Sequence, residues 1–296
     1  MASDTQPPHV DFIGIGMSKC GTTWLWQCLH EHPEICCGEP KEIHFFDKHY
    51  AEGFAWYAAC FAACPEGAIV RGEYTPNYLD NRAAMERLLA AYPDAQLIVA
   101  VRDPLERLRS VWRFHYGRGL HEERSFEGFL NEHCSREQWE RGRYGEHLEW
   151  LLTQVSREQV HVIFYADILE HPAWVVRQLY AFLGVDPSVQ PPVLNRRRNA
   201  SKARRPRVRG INPLLHRIER AARNVPGVCS VLRLLGAGHL ARSMRRQNTT
   251  TAATDELDSM LSTRIHEQVR EYYLDDVRRL AELTEQPLED YWLLPA

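Results

Sequence analysis

The chain has 296 residues, a net charge of −3, 44% hydrophobic residues and 25% charged residues. This composition is typical of a folded globular protein and excludes a disordered or low-complexity chain. Because no apolar run approaches the roughly 20 residues that span a bilayer, and no basic-then-apolar leader begins the chain, we expect a cytoplasmic protein.

The eight cysteines contain no Cys-x-x-Cys pair, and their His and Cys neighbours lack the spacing of a zinc site. Disulfides are rare in the cytosol, so the sequence favours free thiols over disulfides. We therefore expect neither a structural metal nor a disulfide framework.

Four apolar, β-branched runs predict buried strands, and each is followed by a segment with helical periodicity. The strands are expected at 12–16, 68–72, 96–101 and 159–165. The helices are expected at 23–31, 81–91, 104–115, 144–155 and 172–183, with a last helix at 255–283 and a glycine cap at Gly184. Strands that alternate with helices predict an α/β fold with a mainly parallel sheet.

A glycine-bounded loop, GIGMSKCGTTW at residues 14–24, joins the first predicted strand to the first predicted helix. Backbone N–H groups converge at such a junction, and the positive end of the helix dipole adds to their attraction for an anion. The loop departs from the nucleotide triphosphatase pattern G-x-x-x-x-G-K-[ST], because Thr22 replaces the lysine and Lys19 comes earlier. This departure favours a ligand with a single 5′-phosphate. The alternative is an ordinary strand-to-helix turn.

A second candidate site lies in LIVAVRDPLERLRSVW, residues 97–112. Arg102 follows a predicted strand at its carboxyl end, where open α/β sheets bind ligands, and Ser110 lies two turns into the next helix. Together they could hold a second, separate phosphate. The alternative is a surface ion pair between Arg102 and Asp103 or Glu106.

A third candidate is EPKEIHFFD, residues 39–47. In an extended segment Glu42 and His44 share one face, while Ile43 and Phe45 point the other way. A carboxylate beside aromatic residues can have its pKa raised and act as a general base, with His44 as a competing base or its neighbour. The alternative is a solvated glutamate and histidine in a loop.

These three stretches, in this order, resemble the motifs of PAPS-dependent sulfotransferases (PAPS is 3′-phosphoadenosine 5′-phosphosulfate). The branch with heparan sulfate sulfotransferases and bacterial sulfotransferase-domain proteins is the most similar. Its K-x-G-T-[TR]-x-L, R-[DN]-P-x-x-R-x-x-S and K-E-x-H-F-F-D motifs are matched at residues 19–25, 102–110 and 41–47, and its S-K-G-R element is approximated at 201–204. The resemblance implies a P-loop-like three-layer fold, with a central parallel sheet of four to five strands flanked by helices, in a single domain over residues 1–296.

The resemblance also implies a reaction, the in-line transfer of a sulfuryl group from PAPS to an acceptor, without a metal. Glu42 would remove the acceptor proton, Lys19 would neutralise the departing phosphate oxygen, and His44 would orient Glu42 or the acceptor. The implied donor-binding residues are Lys19, Cys20, Gly21, Thr22, Thr23, Trp24, Arg102, Ser110, Ser201, Lys202 and Arg204. The implied acceptor-binding residues are Lys41, Phe46 and Tyr74.

One departure from the family concerns the acceptor. Heparan-type members have E-K-T-P-x-Y, whereas this chain has Glu73-Tyr-Thr-Pro-Asn-Tyr78, so Tyr74 replaces a lysine near the reacting hydroxyl. A polyanionic sugar is then less favoured than a small-molecule, glycolipid or natural-product alcohol, phenol or amine. The alternative is that Tyr74 is simply packed.

Residues 190–251 form a basic segment, in which residues 196–246 contain 15 Arg or Lys and one acid, Glu219. Part of this charge would close over PAPS as a lid. The remainder is either solvated, which we favour, or a basic amphipathic surface for peripheral contact with anionic lipid. Two rival functions are a P-loop kinase or NTPase and a non-catalytic protein that binds an anionic surface through residues 196–246. Nucleic acid is not an expected partner, because aromatic residues do not interleave the basic run.

Overall fold

A computed structural model of the chain describes residues 6–118, 120, 121, 123, 125–195, 204–206, 249–251 and 262–293. Its central feature is one sheet of five parallel strands in the order β2-β3-β1-β4-β5. The strands are β1 (Phe12–Gly16), β2 (Ile35–Cys37), β3 (Val70–Tyr74), β4 (Gln96–Val101) and β5 (Val160–Phe164). The predicted α/β fold with a parallel sheet is therefore confirmed.

Helices connect the strands, and the longer ones agree with the predicted segments. The helices are α1 (Thr22–His30), α2 (Gly53–Ala59), α3 (Arg82–Ala91), α4 (Pro104–Arg118), α5 (Phe126–Glu132), α6 (Arg136–Glu140), α7 (Tyr144–Leu152), α8 (Tyr165–Glu170), α9 (Pro172–Leu183) and α10 (Thr263–Thr284). Asn81 caps α3 by accepting from the Ala84 amide. Gly184 ends α9 in the left-handed conformation, as its position predicted.

The middle of the sheet carries the core. Strand β1 is buried along its whole length, and β4 is buried from its second residue onward. Parallel strands covered on both faces bury nearly every side chain, which explains their continuous apolar sequences. Since all five strands run the same way, the loops after β1, β2, β3 and β4 emerge at one edge of the sheet. The three candidate motifs lie in the loops after β1, β2 and β4.

The chain divides into two compact units. The first contains Met1–Arg107, Glu140–Arg197 and Glu271–Leu294, and thus the five-stranded sheet. The second contains Leu108–Trp139, Arg198–Arg270 and Pro295–Ala296. In the second unit Trp112 packs against Phe126, with ring centroids 5.7 Å apart, and a two-stranded antiparallel sheet pairs β6 (Arg204–Pro206) with β7 (Thr249–Thr251). The assignment of residues 1–296 to one domain stays a prediction.

The last helix has the predicted four-residue rhythm, because Ile265, Val269, Tyr273 and Val277 are all buried. The expected start of this helix at residue 255 lies outside the described residues. Most of the basic segment lies outside them as well, including Ser201 and Lys202. In the part of the chain that is described, no helix combines the length and the apolar character needed to cross a membrane.

The expectation of free thiols is wrong for one pair of cysteines. Cys36, on β2, forms a disulfide with Cys64, which follows α2 and is 28 residues further along the chain. Among the described residues, Cys20, Cys37 and Cys60 are free thiols. The pairing depends on the return of the chain beside β2, which cysteine spacing alone does not reveal.

Candidate active site

The loop between β1 and α1 has the backbone conformation of an anion site. Lys19 and Gly21 have positive φ angles of 76° and 88°. No side chain caps α1, and its first hydrogen bonds run from the Trp24 and Leu25 amides to the Gly21 carbonyl. The amides of Gly21, Thr22 and Thr23 therefore precede the first helical hydrogen bond at the helix N-terminus, which is an arrangement that suits an anion.

Neighbouring side chains hold this loop in place. A Cβ atom on Gly21 would lie 2.9 Å from Ile168 Cδ1 and 3.1 Å from Tyr165 Cδ2, both on α8. Because of this contact and its left-handed φ, the position requires glycine. At the start of the loop, the Tyr74 hydroxyl donates to the Gly16 carbonyl at 3.1 Å.

Three cations surround the buried Cys20 of the same loop. Burial raises the pKa of the Cys20 thiol to about 11, and this rise is opposed by the charges of Arg107, Arg102 and Lys19 and by a hydrogen bond with Tyr144. The structure thus brings the positive charges of the first and second sequence motifs to one place, as an anionic ligand requires.

Arg102 emerges from the carboxyl end of β4, as predicted. Its guanidinium lies 4.5 Å from the centre of the Tyr165 ring and 3.1 Å from Glu106 Oε2. The ion pair with Glu106 agrees with the alternative interpretation of this arginine. Arg102 nevertheless lies near the loop between β1 and α1, because Tyr165 contacts both Arg102 and the position of Gly21. Asp103 has a different role, because its carboxylate accepts from the Leu105 and Leu293 amides at 2.8 Å.

Ser110 lies on α4 and is buried, with 8% of its surface exposed. It belongs to the second compact unit, whereas Arg102 belongs to the first. A phosphate held jointly by Arg102 and Ser110 stays a prediction. So do the donor roles of Ser201, Lys202 and Arg204, since Ser201 and Lys202 lie outside the described residues and only the backbone of Arg204 is described.

The third motif brings its charged residues together. Glu42 Oε2 lies 3.9 Å from His44 Nε2, and Lys41 forms an ion pair with the other oxygen of Glu42. His44 Nδ1 lies 2.9 Å from Asp47 Oδ2. A carboxylate at Nδ1 favours the tautomer with the proton on Nδ1, which leaves Nε2 as an acceptor on the side of Glu42.

The local conformation of this motif differs from the prediction. Glu42 and His44 share a site through a left-handed turn, with φ angles of 60° and 57°, and not through an extended segment. The expected aromatic environment of Glu42 is also wrong, because its side chain is 42% exposed. Ile43 and Phe45 are buried, as expected.

Two proposed acceptor residues are buried and need correction. Phe46 is fully buried among Phe45, Tyr57 and Tyr78. Tyr74 is 1% exposed, and its ring occupies the space that a Cβ on Gly14 would need. Neither ring can present a face to an acceptor, because each completes the packing beneath a loop. Lys41 stays a candidate, beside Glu42.

Sequence reasoning missed three residues at this edge of the sheet. Tyr165 lies between Gly21 and Arg102, and Arg107 is fully buried with its charge near Cys20. Glu73 is a fully buried carboxylate that accepts hydrogen bonds from Tyr57, Thr75 and Tyr78. The available signal was a glutamate near the carboxyl end of β3, one residue after the predicted strand at 68–72. Among the described residues, no group of three or more His, Cys, Asp or Glu is arranged to hold a metal ion.

Comparison with known proteins identifies the family. The family described as "Sulfotransferase domain" matches residues 9–205. The chain belongs to the sulfotransferase family. The predicted membership of the PAPS-dependent sulfotransferases is thereby confirmed, and PAPS is the co-substrate of that family.

Two curated relatives illustrate the similarity of this sulfotransferase. Mouse "Heparan sulfate glucosamine 3-O-sulfotransferase 3A1" is 33% identical over 183 residues, which cover 58% of this chain and 45% of the relative. "Membrane-associated sulfotransferase kil1" of Dictyostelium discoideum is 41% identical over 106 residues, which cover 35% of this chain and 22% of the relative. The chain thus matches less than half the length of both.

A solved structure supports the fold of this sulfotransferase. The crystal structure of a sulfotransferase from Alicyclobacillus acidocaldarius superposes with a TM-score of 0.63 over 96% of this chain and 98% of the other. The two sequences are 22% identical, so this comparison establishes the fold alone. It confirms the predicted three-layer, P-loop-like architecture.

Proposed function

We propose that this protein transfers a sulfuryl group from PAPS to a hydroxyl or amine of an acceptor and releases PAP (3′-phosphoadenosine 5′-phosphate). The observation that carries the proposal is the loop from Lys19 to Thr23. Its left-handed residues direct consecutive amides out of an uncapped helix N-terminus, and the charges of Lys19, Arg102 and Arg107 act on Cys20 within it. A phosphate on a nucleotide such as PAP fits that arrangement.

On the donor side, two cations and three backbone amides have proposed roles. The amides of Gly21, Thr22 and Thr23 bind the 5′-phosphate, and Lys19 neutralises the charge that develops on its oxygen. Arg102 binds the 3′-phosphate; the same role for Ser110 stays a prediction from the sequence. When bound, PAPS supplies the sulfuryl group and a phosphate leaving group, so the work of the protein is positioning and electrostatic stabilisation.

The acceptor side uses the charged residues of the third motif. Glu42 removes the proton of the acceptor, and its exposed side chain is accessible to a substrate from solvent. His44, oriented by Asp47, accepts through Nε2 from the hydroxyl or amine of the acceptor and so orients it beside Glu42. Lys41 forms an ion pair with Glu42 and lies beside the base.

The acceptor is proposed to be a weakly charged molecule, such as a glycolipid, a natural product or another small alcohol, phenol or amine. Support comes from position 74, where a buried tyrosine stands in place of the lysine of heparan-type members. Without that cation, the site loses a partner for a sulfated polysaccharide. A glycan acceptor is the second candidate, because the name of the mouse relative specifies a sulfated sugar.

The test is transfer of ³⁵S from labelled PAPS to a panel of phenols, amino sugars, glycolipids, natural-product scaffolds and heparan sulfate. We expect Glu42→Gln to abolish transfer with PAP affinity unchanged. Glu39→Gln is the matched control, because it alters an exposed glutamate in the same stretch. Transfer by Glu42→Gln near the wild-type rate would show that the base is wrong.

The same preparation distinguishes the rival functions. A P-loop kinase or NTPase predicts Mg²⁺-dependent ATP turnover. A non-catalytic protein that binds anionic surfaces predicts vesicle or RNA binding that weakens steeply with salt and persists in Lys19→Ala and Glu42→Gln. Absence of sulfuryl transfer together with either result would contradict the proposed function and favour the corresponding rival.

A further inference from the structure

A buried carboxylate lies directly beneath the loop that carries Glu42 and His44. Glu73, on β3, is fully buried and accepts hydrogen bonds from three hydroxyl groups. Tyr57 and Tyr78 donate to Oε1 at 3.1 and 3.0 Å, and Thr75 donates to Oε2 at 2.6 Å. Three donors on one buried carboxylate satisfy the hydrogen-bonding capacity of its charged form.

Two of these hydroxyls also contact backbone amides of the segment that contains Glu42 and His44. Thr75 Oγ1 accepts from the His44 amide at 3.2 Å, and the Tyr78 hydroxyl accepts from the Phe46 amide at 3.4 Å. An ionised carboxylate only accepts, so it fixes the hydroxyl protons toward itself and turns the hydroxyl lone pairs toward these amides. The Tyr57 hydroxyl bonds to Glu73 and, among the described residues, to no atom of the loop.

The loop needs such support because its conformation is uncommon. Glu42 and His44 both have left-handed φ angles, 60° and 57°, which non-glycine residues adopt rarely. Residues held in such conformations persist where the surrounding structure determines them, and they occur frequently at active sites. The hydrogen bond that the His44 amide donates to Thr75 holds one of these two residues.

We propose that Glu73 is a positioning residue, which acts through the Thr75 and Tyr78 hydroxyls to hold His44, and with it Glu42, in the geometry for proton removal. The proposal rests on the proposed function, because it concerns the base of the same reaction. Glu73 does not touch substrate or donor, since its carboxylate is enclosed by the three hydroxyls.

The ionisation of Glu73 supplies a readout that packing alone would not give. Burial raises the pKa of Glu73 to about 7, opposed by the hydrogen bonds from Thr75, Tyr78 and Tyr57 and by the charge of His44. The titratable groups that face it are Tyr57 and Cys60 near α2, Tyr78, Tyr92 after α3, and His44. A protonated Glu73 must donate to one of the hydroxyl groups. The proton of that hydroxyl then points away from Glu73 and interferes with the hydrogen bond that a loop amide donates to the same oxygen. Activity should therefore fall as pH drops through 7.

The experiment compares four variants in steady-state transfer with PAPS. Thr75→Val removes the relay, Thr75→Ser keeps its hydroxyl, and Glu73→Gln removes the charge. Tyr57→Phe is the matched control, because it removes a hydrogen bond to the same carboxylate without touching the loop. We expect Thr75→Val and Glu73→Gln to lower kcat about tenfold or more, with the KM for PAPS and the affinity for PAP unchanged.

The expected pattern has three further parts. At a pH well above 7, where Glu73 is ionised, Thr75→Ser restores kcat to within about twofold of wild type, and Tyr57→Phe stays within the same range. The wild-type kcat profile contains an ionisation near pH 7 that Glu73→Gln lacks. Equal loss of kcat in Thr75→Val and Tyr57→Phe would overturn the proposal, and so would a failure of Thr75→Ser to restore it.

Hydrogen exchange of the His44 amide keeps this proposal separable from the proposed function. Exchange should be faster in Thr75→Val than in wild type and unchanged in Tyr57→Phe. If no acceptor is sulfated by the wild type, the proposed function fails, and this exchange still decides the positioning role. Equal protection of the His44 amide in wild type and Thr75→Val would overturn it.

Discussion

Gly21→Ala is the substitution that most clearly separates phosphate binding from stability. Gly21 has a φ angle of 88°, and an added Cβ would lie 2.9 Å from Ile168 Cδ1. The left-handed conformation costs a non-glycine residue about 1–2 kcal/mol. The contact with Ile168 adds a small further cost, because the touched atom is the end of a flexible side chain. We expect the free energy of unfolding to fall by about 2 kcal/mol.

The same change should weaken PAP binding, because Gly21 begins the row of amides that point at the 5′-phosphate. A hydrogen bond to a charged group contributes about 1.5–3 kcal/mol, so loss of one such bond raises the Kd for PAP about tenfold to a hundredfold. Calorimetric titration with PAP measures this change, and urea unfolding measures the change in stability.

Gly184→Ala is the control for backbone strain. Gly184 has a φ angle of 74°, close to that of Gly21, but an added Cβ would meet nothing within 4 Å, and the residue ends α9 away from the loop. It should lose about 1 kcal/mol of stability and keep its affinity for PAP. If both variants bind PAP equally tightly, the amides of this loop do not hold the phosphate and the reasoning is refuted.

Three other predictions follow from charges and covalent links. Arg102→Ala should raise the Kd for PAP about tenfold and leave that for adenosine 5′-phosphate unchanged; equal losses in calorimetry would contradict a role at the 3′-phosphate. Because burial raises the pKa of Glu73 to about 7, the folded protein keeps a proton that the unfolded chain has lost between about pH 4.5 and 7. Its free energy of unfolding should therefore fall by about 3 kcal/mol as pH rises through that window. Glu73→Gln should lack this fall, and parallel pH profiles from urea unfolding would contradict the assignment. Denatured protein should titrate two fewer thiols without reductant than after reduction, because Cys36 and Cys64 are joined; equal thiol counts would show that the bond does not form.

Much of the sheet could be predicted because its strands are continuous apolar runs. The bounds of β1 and β4 agree with the sequence analysis, as do those of α9, which glycine terminates. Strand β2 was missed, since three residues at the edge of a sheet carry no periodicity. The disulfide was missed for a related reason, because pairing across 28 residues depends on the path of the chain.

In the candidate site, too, the features set by short stretches of sequence were predictable, and those set by distant residues were not. The loop at Lys19–Thr23 and the position of Arg102 after β4 are properties of short continuous sequences, and motif spacing predicts them. The left-handed turn at Glu42 and His44 was not predictable, because Thr75, 31 residues away, holds the His44 amide. Burial of Glu73 likewise depends on hydroxyls from α2 and from the loop after β3.

Titration calorimetry with PAP and with MgATP, on the same wild-type preparation, tests the central claim most directly. We predict saturable binding of one PAP per chain without any divalent ion, and far weaker binding of MgATP. Tight binding of MgATP, with no heat from PAP at millimolar nucleotide, would contradict a loop built for an adenosine 3′,5′-bisphosphate.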